Sequence, residues 1–227
     1  MRTLYLTMLC AAAASWRTPT ALFHELGGDC ISHEKTHDFT RLLAQLTGAY
    51  VLCVEVDLGS FSSYFSSLSE QSEEACRAIR NNPEFDREFN VVGISQGALI
   101  GRYIVESCEM KGRVRNYLSI GGPQMGVTEL PWCSGSSVCG TLDYFGSLLA
   151  STSVGQYFIG PFGLSRDPNN YEDYLESNQF LPYLNNEKGT EEAKAARKKR
   201  FSNLNGAMFV LFTRDDVVIP PESEWFQ

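Results

Sequence analysis

Gly93-Ile94-Ser95-Gln96-Gly97 sets a hydroxyl between two glycines, where the apolar run Phe89-Asn90-Val91-Val92 gives way to an apolar-striped stretch reaching about Cys108. A serine in this G-x-S-x-G pattern, with a strand before it and a helix after it, reads as a nucleophile elbow. The turn strains the backbone at the serine, so its flanks must be small. Gly93 and Gly97 let strand and helix approach without a Cβ collision. The expected result is a Ser95 hydroxyl raised above the C-terminal edge of a sheet, at the positive end of a helix.

A serine hydroxyl attacks poorly until a base removes its proton, and an acid must hold that base in orientation. In hydrolases of this type the chain order is Ser, then Asp or Glu, then His. Leu211-Phe212-Thr213-Arg214-Asp215-Asp216 ends a late apolar run with two aspartates, and one of them is the candidate acid. The three histidines are His24, His33 and His37, all before Ser95. The triad histidine is therefore absent from these residues, and the reading is of a chain whose last strand and helix are missing. The oxyanion hole needs two backbone amides. Gln96 follows the nucleophile, and the loop His24-Glu25-Leu26-Gly27-Gly28-Asp29 follows the first strand run. His24 is expected to shape that loop and not to act as the base.

Two other chemistries are weighed and set aside. His33-Glu34-Lys35-Thr36-His37 is a literal H-E-x-x-H, the zinc pattern of metallopeptidases. Lys35 and Asp38 surround it as on a wet helix face, and the x-x-G-x-x-H extension is missing. No C-x-x-C pair occurs either. No metal and no cofactor are expected.

These residues need elements to position them. Strand runs are read at Thr20–His24, Ala49–Val56, Phe89–Gly93, Val114–Ile120 and Ala207–Phe212, with helices at about His33–Leu46, Leu68–Asn81, Gln96–Cys108 and Glu191–Phe201. Alternation of this kind implies an α/β fold with a mostly parallel sheet and flanking crossover helices. Between about 123 and 189 the rhythm stops, and a cap insertion is expected. Its Tyr144, Phe145, Leu148, Leu149, Tyr157, Phe158, Phe162 and Leu164 read as the cap's own core or as a greasy wall for an acyl chain. The run Ala193–Arg200 reads as the solvated face of a surface helix.

Bulk properties agree with one domain. The 227 residues are 43% hydrophobic and 20% charged, with a formal charge of -8, which argues against nucleic acid. Residues 1–15 read as a signal peptide, with Arg2, an apolar run from Leu4 to Cys10 and small residues up to Ser15. The domain then spans 16–227, with no transmembrane segment after signal removal. Cleavage leaves Cys30, Cys53, Cys76, Cys108, Cys133 and Cys139, an even set that suggests disulfides without fixing their pairing. Cys53, in an apolar strand, is read as simply buried. Cys133 and Cys139 flank a short Ser- and Gly-rich stretch that closes easily.

At four ordered motifs the chain resembles the palmitoyl-protein thioesterases. His24-Glu25-Leu26-Gly27-Gly28-Asp29-Cys30 is similar to the family's H-G-x-G-D-x-C segment, with Glu25 and Gly28 departing from it. Gly93-Ile94-Ser95-Gln96-Gly97 matches its G-x-S-Q-G elbow. Gly121-Gly122-Pro123-Gln124-Met125-Gly126-Val127 resembles its G-G-x-x-x-G-V stretch, and Ser223-Glu224-Trp225-Phe226 its S-E-W-F sequel. The likeness runs from about Ala21 to Phe226. It implies the α/β-hydrolase fold, Ser95 as nucleophile and Asp215 as triad acid. Leu26 and Gln96 would be oxyanion donors, and Cys76–Cys108 and Cys133–Cys139 disulfides. The implied substrates are S-acylated proteins or peptides and other long-chain acyl thioesters, met in the secretory pathway, in lysosomes or outside the cell. A lipase or esterase of the same fold, or a non-catalytic acyl-binding product, are the alternatives.

Overall fold

Phe89, Val91 and Val92 are too apolar to face water on either side, and they lie at the centre of a parallel sheet with helices on its faces. The computed structural model describes residues 17–56, 66–128 and 163–227. Among these, five strands pair in parallel in the order β2-β1-β3-β4-β5: β1 (Thr20–Phe23), β2 (Val51–Cys53), β3 (Glu88–Ile94), β4 (Arg113–Ile120) and β5 (Gly206–Val210). The strand runs read from sequence fall on these elements, within one residue at most ends. The largest trim is at β2, three residues that hydrogen-bond to β1 alone among the described strands.

The helices follow from periodicity and caps. In α2 (Leu68–Asn81) the buried positions are Leu68, Gln71, Ser72, Ala75, Cys76 and Ile79, a three-and-four spacing that lays one face on the core. Ser67 and Glu70 form a reciprocal capping box at its start. α1 (Glu34–Thr47) begins without a cap bond from His33. Asp29 instead orders the loop leading into it: its carboxylate accepts from the amides of Ile31, Ser32 and His33 and from the Ser32 hydroxyl. Those bonds, led by Ser32, hold Asp29 well below the usual carboxylate range.

α3 (Gln96–Glu106) is buried along nearly its whole length, between the sheet, α2 and the late helices. It ends two residues before Cys108, whose sulfur is joined to Cys76 of α2. From the cap region, the described part holds two short helices that carried no periodic signal, α4 (Tyr171–Ser177) and α5 (Leu181–Leu184). α6 (Glu191–Ser202) then leads to β5 and has no buried residue, as its charge run implied. Tyr144, Phe145, Leu148, Leu149, Tyr157, Phe158 and Phe162 lie outside the described residues, as do Cys133, Cys139 and residues 1–16. Leu164 is described and belongs to the core, 4% exposed.

One reading is corrected. Cys53 is not a lone buried thiol: it is bonded to Cys30, with the Cα atoms 5.7 Å apart. The pair staples the loop after β1 to the end of β2.

Candidate active site

The strand order itself selects a place for chemistry. From β1 the chain crosses outward to β2, and from β3 it proceeds the other way, so β1 and β3 are neighbours whose connections diverge. Ligands of open α/β sheets bind in the crevice at the carboxyl ends of two such strands. Register brings those ends level. Phe23 pairs with Gly93, Ile94 with Ile120, and Ile120 with Val210. Ser95, the loop holding Leu26, and the loop holding Asp215 therefore leave the sheet along one edge.

Ser95 stands between β3 and α3 at φ 50°, ψ -121°, in a region that L-residues avoid. Holding a non-glycine residue there costs on the order of 1–3 kcal/mol. Surrounding backbone enforces it. A Cβ on Gly93 would lie 2.4 Å from the Ala98 Cα and 2.5 Å from the Gly97 carbonyl oxygen. One on Gly97 would lie 2.3 Å from the carbonyl oxygen of His24 and 2.4 Å from that of Phe23. The Ser95 amide donates to the Ile120 carbonyl at 2.9 Å, fastening the bend to β4. The serine is half-buried, with the first turn of α3 beneath it.

Gln96 is buried, and its side-chain amide donates to Gln71 of α2 at 2.9 Å. Its backbone amide opens the helix and makes no hydrogen bond among the described residues. The same holds for the amide of Leu26. Leu26 sits in a turn closed by the Gly28 amide donating to the Glu25 carbonyl at 3.0 Å, with Gly27 at φ 72°. The Glu25 carboxylate, a departure from the family pattern, turns to His33 Nδ1 at 3.2 Å.

Asp215 and Asp216 differ in setting. Asp216 is exposed and Asp215 half-buried. Asp215 Oδ1 accepts from the amides of Val217 and Val218 at 2.7 and 2.9 Å, fixing its own loop. Glu224, fully buried, lies beside it and accepts from the Phe212 amide at 3.1 Å. Burial, and then the hydrogen bond to Asp215, push the Glu224 carboxyl up to about 7. Sequence reading passed over Glu224 as part of a motif tail.

His24 is 5% exposed, and its Nδ1 donates to the Glu25 carbonyl at 2.9 Å. Its Nε2 faces Glu55 Oε1 at 3.5 Å, in keeping with a loop-shaping role. In the H-E-x-x-H stretch, His33 Nδ1 is 2.7 Å from Thr36 Oγ1, while His37 is exposed. Gln124 is fully buried and donates to Ser119 Oγ and the Tyr117 hydroxyl, a packing role.

Comparison with known proteins decides the affiliation. The family model for palmitoyl protein thioesterase matches residues 19–227. The chain belongs to the palmitoyl protein thioesterase family. Palmitoyl-protein thioesterase 3 of Dictyostelium discoideum is 31% identical over 97% of this chain and 73% of its own length. Palmitoyl-protein thioesterase 1 of Caenorhabditis elegans is 28% identical over 94% of this chain and 72% of its own. Among solved structures, a 2-hydroxy-6-oxo-6-phenylhexa-2,4-dienoate hydrolase from Rhodococcus aligns over 92% of this chain and 77% of its own, at 14% identity and TM-score 0.47. Family membership agrees with the parallel sheet and with a hydrolase bearing its elbow at the end of β3.

Proposed function

We propose that this family member is a serine hydrolase whose site is built to remove long acyl chains from cysteine sulfur in S-acylated proteins or peptides. The observation that carries the reading is Ser95 at positive φ between two glycines whose Cβ positions are filled by backbone. Nothing in ordinary packing rewards a serine there, and strain of this kind collects at functional sites.

In this reading Ser95 Oγ adds to the thioester carbonyl carbon, and the carbonyl oxygen, now negative, is held by the amides of Gln96 and Leu26. The carbon–sulfur bond then breaks and the thiolate leaves, needing little help from an acid. Water completes the cycle by releasing the fatty acid from Ser95. Asp215 is the acid of the triad, supported by its half-buried place and its fixed loop. The base is not among residues 96–227, which hold no histidine. A polypeptide of this sequence is therefore expected to turn over at least about 10⁴-fold more slowly than one with a full triad. Residues 1–15 are proposed to direct the chain into the secretory pathway, toward lysosomes or the cell exterior.

Exogenous imidazole tests the site apart from the missing base. Residues 16–227 incubated with a palmitoyl thioester should show hydrolysis that depends on imidazole and exceeds that of Ser95→Ala. Equal rates for the two proteins would overturn the nucleophile assignment. An oxyester run in parallel separates a thioesterase from a lipase or esterase. Appreciable turnover without imidazole would overturn the expectation of an impaired chain.

A further inference from the structure

We propose that reducing the Cys30–Cys53 disulfide creates a zinc site whose ligands are His24, Cys30 and Glu55. Nothing in it depends on Ser95 being a nucleophile.

The three residues come from separate stretches that the sheet brings together. His24 follows β1, Cys30 lies in the loop after it, and Glu55 stands two residues past the end of β2. One ligand atom from each lies within 4.8 Å of the others. Two of those atoms are buried and make no hydrogen bond: His24 Nε2 and Glu55 Oε1. The His24 side chain is only 4% exposed. Because a carbonyl can only accept, His24 Nδ1 is the nitrogen that donates to Glu25, which leaves Nε2 to face the carboxylate. The two atoms are 3.5 Å apart, with the His24 side chain buried and the Glu55 side chain 26% exposed.

A metal ion can take both atoms as ligands, and their spacing suits a tetrahedral one. With metal–nitrogen and metal–oxygen bonds of about 2.0–2.1 Å, two ligands at the tetrahedral angle are about 3.4 Å apart. Support for the ligands is also in place. The Nδ1–H bond to a backbone carbonyl is the arrangement that orients a metal-binding histidine. The other Glu55 oxygen accepts from the Cys30 amide at 2.7 Å, tying the carboxylate to the residue that would supply sulfur. A sulfur, nitrogen and oxygen set selects zinc over magnesium or calcium.

In the oxidised chain Cys30 Sγ is bonded to Cys53 and has no thiolate to offer. Two molecules of a monothiol such as glutathione give the disulfide two electrons and two protons and leave as their own disulfide. Cys30 and Cys53 are then thiols. Zinc binds Cys30 Sγ as that thiol releases its proton to solvent, and water takes the fourth position. The redox state thus decides between two clasps on the loop that holds Leu26, a covalent one to β2 or a metal one to His24 and Glu55.

The full chain with Cys53→Ala frees Cys30 without reductant, and cobalt(II) serves as the visible probe. Cobalt should bind with tetrahedral d–d bands and a thiolate-to-metal charge-transfer band, and zinc should displace it. Oxidised wild type and the double variant Cys30→Ala/Cys53→Ala should lack both signals, and adding Glu55→Gln to Cys53→Ala should weaken binding at least ten-fold. Identical spectra for Cys53→Ala and the double variant would overturn the site. If Cys53→Ala does not fold, wild type is titrated with glutathione at two buffered free-zinc levels, and alkylated Cys30 is counted by mass spectrometry. Zinc should lower the glutathione needed for half-reduction at least ten-fold. An unchanged midpoint would equally overturn the proposal.

Discussion

At the scale of single residues, Ser95 and Glu224 each hold an unfavourable state that the surrounding fold imposes. Replacing Ser95 separates strain from chemistry. Alanine keeps a Cβ at φ 50°, whereas glycine has none to strain. Ser95→Gly should therefore unfold at higher urea than Ser95→Ala, by about 1 kcal/mol after allowing for glycine's greater unfolded entropy. Equal stabilities would mean the bend stores no strain. Glu224 gives a pH signature. Its carboxyl is raised to about 7 in the folded chain, so the folded state binds a proton that the unfolded state has already lost. Its contribution is full below the unfolded value near 4.5 and is lost as pH rises through about 7. Urea midpoints should thus fall across that window. Glu224→Gln, which keeps an acceptor for the Phe212 amide and a donor for Asp215, should flatten the fall. A slope unchanged in the variant would assign it to other groups.

At the scale of elements, α3 is held by a buried ion pair and a disulfide. Arg102 Nε donates to Glu106 at 2.7 Å, with side chains 6% and 4% exposed. Its remaining donors reach Asn185 Oδ1 and the Leu184 carbonyl in the cap region, and its guanidinium lies over the Phe226 ring. Burial raises the Glu106 carboxyl against the opposing pull of Arg102. Arg102→Met would leave that acid unpaired, at a cost of about 3–5 kcal/mol in urea denaturation. Adding Glu106→Leu should recover most of the loss, and failure to recover would place the energy in the links to Asn185 and Leu184. Cys76–Cys108 closes 32 residues, and removing both sulfurs as serines should cost about 3–4 kcal/mol on loop entropy alone. What could be foreseen at this scale follows from period and caps. The face of α2 repeats over six positions, so its limits were read without error. α5 has four residues, too few for any period, and begins where Asn178 Oδ1 accepts from the Phe180 and Leu181 amides. Cys30–Cys53 escaped notice because a strand cysteine looks like core until β2 is laid beside β1. The pairing of Glu224 with Asp215 likewise needs the turn between them to close.

At the scale of the whole molecule, the side of β5 that no described strand covers works against the net charge. β5 hydrogen-bonds only to β4 among the described strands, and its outer side is met by the Trp225 indole, which donates to the Phe209 carbonyl at 3.1 Å. Around it Met208 is 62% exposed, Trp225 54%, Phe212 48% and Val217 47%. Apolar side chains beside an unpaired strand edge favour pairing with another chain. A formal charge of -8 holds copies apart, but only over the Debye length, which falls from about 10 Å at 0.1 M salt to about 3 Å at 1 M. The chain should therefore self-associate more as salt is raised, as read by sedimentation velocity at fixed protein concentration. Met208→Lys puts a charge in the middle of the edge and should require about ten-fold more protein for the same association, at a cost within about 0.5 kcal/mol for an exposed site. A wild-type chain that stays monomeric in high salt would show the indole already closes the edge. Association that weakens with salt would instead place ion pairs, not β5, between the copies.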